Sequence, residues 1–512
     1  MGVSRDEPEA DGADGATDAG AVDRSSESSA GEGDDSSLTE GRILRPLFQL
    51  AWPIVVLQLL QVSYNFIDTV YLGRLSTDAV GAISLAFPLV FLLISIASGF
   101  TAAGAILVAQ HTGAEGNHSV TRVTGQTMSF VVALSVVISV VGYLYTRPAL
   151  ELLPSSADTA TAVIPLAAAY MEIVFLGVPL IFGFYVFAAL MRGYGDTRTP
   201  MFVMVLSVVA NVALNPVLIF GFEGNPLFGW LGLRSFESTL HAMTGFAGMG
   251  IEGAAVATVV ARGGGTVLAF WVLFGTDIGP AVGVGHLVPD AEILEDIVRL
   301  GVPSMVEKSM SALAMIALTA IVVTFSPAVV AAYGLGNRLI SIVFLPAMGV
   351  GRAIDTMVGQ NVGANRPDRA ARSVWRSAAV TSGVMALLAV AVFWFADSLI
   401  GVFVGDVPNA LETVQHGATY VRTRTAEFLF IGVSQVVLGA FRGAGNTKIA
   451  MGISFVTLWV GRVGSVFLLA LVLDWGATGV WVGMAVGNVL GSIVGAIWFS
   501  LGTWRERYVE TA

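Results

Sequence analysis

The sequence predicts an all-α membrane protein of about twelve transmembrane helices arranged as two six-helix lobes. Three observations carry that prediction. Of the 512 residues, 55% are hydrophobic and only 12% are charged, against roughly 25% charged in an ordinary soluble domain. Apolar runs of roughly 20 residues or more, long enough to cross a bilayer, recur from Leu47 onward. The chain also repeats itself at an offset of 250 positions. Pro53, Gln110, Gly113, Ala114, Arg192, Gly193, Gly195 and Thr197 recur as Pro303, Gln360, Gly363, Ala364, Arg442, Gly443, Gly445 and Thr447. A helical unit written twice in so apolar a chain points to a transporter with its path between the copies.

The elements follow in order. Residues 1–40 hold twelve Asp or Glu, two Arg and no aromatic residue, whereas the rest carries 25 acids and 24 bases. The first stretch is therefore expected to be a disordered acidic tail. It has no apolar run of the kind a signal peptide needs. Helices are expected over 47–72, 79–110, 120–146, 161–191, 200–220 and 250–275, which places a first lobe at 41–275. A linker follows at 276–295. Helices over 296–325, 328–360, 370–396, 414–441, 448–473 and 477–502 make a second lobe at 296–512.

Arginines such as Arg42, Arg122, Arg198, Arg366, Arg369, Arg372 and Arg505 crowd one set of short loops. The opposite set holds little beyond Arg74, Arg147 and Arg234. The positive-inside rule then places both termini in the cytoplasm of a multi-pass cell-membrane protein. Each half enters from the same side, so the copies should be related by an axis along the membrane normal. Residues 221–249 form a long outer loop that the second half lacks. It reads as a cap over an outward opening or as an ordinary surface loop.

Some chemistry is excluded. There is no cysteine, and the five histidines (His111, His118, His241, His286 and His416) fall at or beyond expected helix ends. An intramembrane enzyme would need a nucleophile, base or metal cluster within the spans, and none is present. A membrane sensor would need an added folded domain, which the tail does not resemble. With 24 Arg against two Lys and an acidic tail, the chain reads as coming from a salt-adapted organism.

Ionisable residues inside hydrocarbon are functional candidates. Gln58, Gln61, Asn65 and Asp68 are spaced by three, four and three residues, which puts them on one face of the first helix. A polar stripe ending in a carboxylate reads as the wall of a watered cavity. Pro53 in the same helix frees a carbonyl and is a site for bending. Asn211 and Asn215 lie one turn apart before Pro216, so their oxygens could help bind a cation beside Asp68. Thr258 adds a hydroxyl in the small-residue run GMGIEGAAVAT. In the second half, Glu307 and Glu427 are candidates for the substrate cavity. Glu307 reads alternatively as a partner of Arg338, and Asp355 as a partner of a loop arginine. Arg262 and Arg462 read as snorkelling or pairing residues.

These residues match a family. The AWPIVV start, NFIDTVYLGRLSTDAVGA, the QHTGAEG and VGQNVGANRPDRA pair, MRGYGDTRTPM and FRGAGNTKIAM, NVALNP and GIEGAAVAT together resemble the multidrug and toxic compound extrusion (MATE) family over roughly residues 43–503. The resemblance is to its DinF-like branch. It implies a V of two lobes exporting amphipathic, often cationic compounds by antiport against sodium ions or protons, with a monomer as the unit. It also implies that Asp68, Asn211, Asn215 and Thr258 form the coupling site. The branch usually has aspartate where this chain has Asn215, which leaves one acid there and leaves sodium or proton open. No nucleic-acid partner and no cofactor beyond the coupling ion is expected. A lipid-linked oligosaccharide flippase of the same superfamily is the alternative. It would want a strongly cationic cavity, and here acids balance the few interior bases.

Overall fold

The computed structural model describes residues 38–151, 159–402 and 410–505. The expected acidic tail lies outside them except for Leu38, Thr39 and Glu40. Among the described residues every regular element is helical. In the first half these are α1 (Leu44–Leu75), α2 (Thr77–Gly113), α3 (Asn117–Glu151), α4 (Ile164–Tyr194), α5 (Arg198–Phe220), α6 (Pro226–Trp230), α7 (Arg234–Thr244) and α8 (Gly250–Gly275). The second half has α9 (Ala291–Val322), α10 (Pro327–Val343), α11 (Leu345–Gly363), α12 (Pro367–Gly401), α13 (Ala410–Thr425), α14 (Phe428–Gly443), α15 (Thr447–Phe455) and α16 (Gly476–Ser500). Among the described residues ten helices are individually long and apolar enough to cross a membrane, and the number is twelve if each of two bent pairs is one span.

Local chemistry sets the boundaries. Ser76 caps α2 by accepting from the Ala79 amide at 3.0 Å, and Asp290 caps α9 through the Glu292 amide at 3.0 Å. Gly195, at φ +112°, closes α4 in a left-handed turn.

Three expectations need correction. The expected helix at 328–360 is broken into α10 and α11, bent by 45°, with Pro346 supplying the missing donor at the start of α11. The expected helix at 414–441 is likewise broken, by 55° between α13 and α14, where Glu427 turns inward. The expected helix at 448–473 keeps α-geometry only through Phe455 and then widens into π-turns at Val456–Gly464 and Phe467–Val472.

The outer loop at 221–249 is folded. Asn225 donates to the carbonyls of Pro216 (2.8 Å) and Gly221 (2.7 Å), tying the insertion to the end of α5. Buried Glu237 accepts from Arg234 Nη1 at 2.6 Å and from the Asn225 amide. Burial alone would raise the Glu237 carboxyl, but Arg234 and the amides of Asn225 and Gly224 outweigh it and hold it below the ordinary glutamate range. A depressed carboxyl stabilises above its unfolded value and loses that stabilisation as pH falls through the folded one. Amide protection over residues 222–249, taken relative to the intrinsic exchange rate at each pH, should therefore fall below roughly pH 4, and Glu237→Gln should remove that pH dependence. Unchanged protection in acid would reject the carboxylate as the anchor.

The first helix of each lobe crosses into the other. Tyr64, Tyr71 and Leu72 of α1 pack in the core of α2–α5. Ile43, Leu47, Leu50, Ala51 and Ile54 of the same helix pack instead with Ile354, Met357, Val436 and Phe441 of the second lobe. Reciprocally, Ile297 and Leu300 of α9 sit in the first lobe's core. Pro53 and Pro303, partners in the repeat, lie within these crossing segments.

The two ends of the described chain lie on one side, with Phe499 and Trp504 packed in the same cluster as Leu47. On this terminal side the lobes meet, through α1 and α2 against α11 and through α2 against α9. The far halves α10 and α13 pack only within their own lobe as far as substantial contacts go. The cleft between the lobes therefore opens away from the termini.

The terminal side is sealed by the repeated motifs themselves. Gln110 Nε2 donates to the Gly443 carbonyl at 3.0 Å. Its counterpart Gln360 donates to the carbonyls of Gly193 (3.1 Å) and Tyr194 (3.2 Å). Each lobe's Gln thus reads the other lobe's Arg-Gly turn. Gly113 and Gly363 allow the approach: a Cβ on either would collide with the carbonyl of Gln360 or Gln110 respectively. Beside the seal, residues 38–41 are strapped onto the second lobe. Arg366 donates to Thr39 O at 2.8 Å, Arg369 to Gly41 O at 2.9 Å, and Asn361 to Leu38 O at 3.0 Å.

Candidate functional site

The polar stripe of α1 faces α5 and α8 of its own lobe. Asp68 is 7% exposed, and Asn211 and Asn215 are wholly buried. Asn215 Nδ2 donates to Asp68 Oδ1 at 2.5 Å and to Asn211 Oδ1 at 3.0 Å. Asn211 Nδ2 donates to Tyr64 Oη at 3.0 Å. The structure therefore brings Asp68, Asn211 and Asn215 into one chain of hydrogen bonds. Thr258 joins them: its hydroxyl lies within reach of Tyr64 and Asp68. The Asn215 Oδ1 is buried without a donor. A single acid thus stands among amide, hydroxyl and phenol groups, with one amide oxygen still free to accept.

The rest of the stripe leads toward the cleft. Gln61 Oε1 accepts from Arg262 Nη2 at 2.6 Å and from Tyr185 Oη at 3.3 Å, and its amide reaches Asn65 at 3.4 Å. Gln58 is half-buried and Asn65 is exposed. Arg262 does not snorkel. It is 3% exposed, with its guanidinium 4.6 Å above the Tyr64 ring. No direct ion pair joins it to Asp68 among the described residues. Pro53 is buried inside α1, which runs unbroken past it.

Glu307 and Glu427 have partners other than those expected. Glu307 pairs with Arg442 at 3.0 Å and accepts from Ser454 at 3.2 Å. Arg338, the partner considered from sequence, is exposed on α10. Asp355 also faces Arg442, at 3.5 Å. Glu427 does not line a cavity: it is wholly buried, ion-paired with Arg424 and bonded to Asn488 at 2.8 Å. This pair sits at the α13–α14 break, where it holds the bend. Glu427→Ala would strand a buried guanidinium and should cost about 3–5 kcal/mol, read as a lowered thermal unfolding midpoint. Replacing both partners with Arg424→Met and Glu427→Leu should recover most of the loss. Equal midpoints for wild type and Glu427→Ala would show that the pair carries no stability.

A two-lobed bundle of membrane-spanning helices, with a buried acid set in one wall of a cleft, defines a polytopic membrane transporter. The MatE family profile matches residues 53–217 and 303–468, which together make up more than half of the chain and respect the 250-residue repeat. The chain therefore belongs to the MatE family. Among its relatives is the probable multidrug resistance protein YoeA of Bacillus subtilis (strain 168), 29% identical over 448 residues, covering 84% of this chain and 88% of that protein. Another is the probable multidrug resistance protein NorM of Thermotoga maritima, 24% identical over 477 residues, covering 92% and 95%. The fold is also that of a crystal structure of a MATE in complex with MaL6, with TM-score 0.79 and 20% identity, covering 92% of this chain and 98% of that one. The curated relatives are named for drug resistance, not for catalysis.

Sequence reasoning passed over Tyr64 and Arg262 as site residues, because an aromatic in an apolar run reads as core and an arginine near small residues as packing. It noticed Gln110 and Gln360 only as repeat markers. Their pairing in the repeat was the available signal, since a wholly buried glutamine such as Gln110 needs a partner.

Proposed function

We propose that the chain is a cation-coupled antiporter that exports amphipathic organic compounds, cationic ones among them, from the cytoplasm across the cell membrane. Both termini then face the cytoplasm, and the cleft opens outward. The family match favours this reading over lipid-linked oligosaccharide flipping. The observation that carries it is the Asp68 site, a lone carboxylate bonded to an amide and free of any direct arginine.

A sodium ion there would find hard oxygens from Asp68, Asn211, Asn215 and Thr258. A proton would need only the carboxylate. Either neutralises Asp68 and weakens its charge-assisted bond from Asn215, which ties α1 to α5. Because the two ends of α1 are anchored in different lobes, with Pro53 between them, loosening the α5 end lets the helix bend and the lobes rock. Coupling requires that ion and substrate prefer different states.

The deciding experiment is efflux of a cationic dye from proteoliposomes with sodium and pH gradients imposed separately. One gradient should drive efflux and the other should not. If neither does, the antiporter reading fails.

A further inference from the structure

The floor of the cleft, just above the seal, holds an uneven set of charges. Glu307 and Lys308 come from α9, Arg352 and Asp355 from α11, Arg442 from α14 and Arg192 from the last turn of α4. That is four cations against two acids, so the balance of interior charges expected from sequence does not hold at this place, because the fold gathers arginines from separate helices. Arg442 engages both carboxylates, at 3.0 Å to Glu307 and 3.5 Å to Asp355. Lys308 Nζ stands 3.9 Å from Glu307. Arg192 and Arg352 have no direct carboxylate partner among the described residues, and Arg192 Nε is buried without a hydrogen bond.

These groups are surrounded by protein and still reach open space. The Lys308 side chain is 36% exposed although its ammonium points at a buried acid inside the bundle. Arg192 and Arg352 are half-buried. Arg352 lies within electrostatic reach of Tyr185, whose hydroxyl bonds Gln61 on the α1 stripe. The cluster therefore lies on the side of the second lobe that looks toward the α1 stripe of the first. Uncompensated positive charge in such a place is costly, and a bound anion would offset it. Guanidinium forks suit the planar oxygens of carboxylate and the tetrahedral oxygens of phosphate. The helices around them are apolar, so the remainder of such a ligand should be apolar too.

We propose that Arg192, Lys308 and Arg352 form an anion subsite at the cleft floor, which takes the carboxylate or phosphate of an amphipathic anion. The inference rests on the exporter reading for the role of the cleft and extends its substrates beyond cations. A structural ion network, with no ligand role, is the competing account.

Binding at equilibrium separates them. The full chain in phosphatidylcholine nanodiscs is titrated with pyrenebutyrate or with pyrenebutylamine, which share an apolar body and differ in charge. Binding is read by energy transfer from tryptophan, with empty discs subtracted. Wild type should bind the carboxylate more tightly than the amine. Arg352→Gln and Lys308→Gln should each weaken pyrenebutyrate about tenfold and leave pyrenebutylamine no weaker, while Arg352→Lys retains most of the affinity. Should the glutamine variants not fold, the wild-type preference alone decides. Equal affinity of wild type for the two probes, or pyrenebutyrate binding indifferent to both substitutions, overturns the subsite. Adding phosphatidylglycerol to the discs identifies the source: competition assigns a lipid headgroup, and none assigns a free organic anion. No gradient enters the measurement, so failed dye efflux leaves this result standing, and a failed subsite leaves coupled efflux standing.

Discussion

Asp68→Asn is expected to reduce cation-driven efflux to the level of empty liposomes while the protein still folds. The substitution keeps the shape of the side chain and one acceptor for Asn215, so the bonds from Asn215 to Asn211 and from Asn211 to Tyr64 can persist. Removing a charge from a site 7% exposed should not cost stability and can even add to it. What disappears is the difference between the charged and neutral states. A site that is always neutral binds the driving ion equally poorly in every conformation, and equal affinity shifts no equilibrium. The measurement is substrate accumulation against its own gradient, with thermal unfolding as the control for folding. A variant that still builds a substrate gradient would exclude Asp68 as the switch.

Gly113→Ala and Gly363→Ala are expected to open the terminal side. Each added methyl would strike a backbone carbonyl of the facing lobe, and a carbonyl within a helix cannot step aside. Relief therefore means parting α2 from α11, which also breaks the reciprocal bonds of Gln110 and Gln360. Overpacking of this kind costs roughly 1–3 kcal/mol, enough to move the closed-to-open ratio by about 5- to 150-fold. The chain has no cysteine, so Ala109→Cys, beside the seal, makes a unique reporter. Its labelling by an impermeant maleimide from the terminal side should rise about tenfold in either alanine variant. Gly334→Ala, with open space around it, should leave labelling unchanged. Equal labelling in all three would show that the seal does not depend on this close approach.

Much of this was legible in the sequence, for reasons that can be named. Apolar length gave the number and rough extent of the spans, and helix 250–275 coincides with α8, whose apolar run is interrupted by charge only at Glu252 and Arg262. Asp68, Asn211 and Asn215 stood out because the residues between them are apolar and their spacing is helical. The breaks in the second lobe were less legible. Pro346 marked one of them. The other rests on Glu427 finding Arg424, three residues back and passed over in sequence, and Asn488, 61 residues away, of which local sequence carries no sign. The partner of Glu307 was misassigned for the second of these reasons. It is 135 residues distant, and spacing along one helix cannot select among arginines on others.

The strap at residues 38–41 bears on behaviour in brine. At molar ionic strength the Debye length shrinks to about 3 Å, so a negatively charged tail would feel almost nothing of Arg366, Arg369 and Arg372 from a distance. The strap does not rely on that field. Besides the Arg366–Glu40 ion pair at 2.9 Å, its anchors are guanidinium and amide donors set directly on main-chain oxygens at 2.8–3.0 Å, contacts too short for counterions to enter. The N-terminal segment should therefore stay fastened across a range of salinity that would strip away a purely ionic tether.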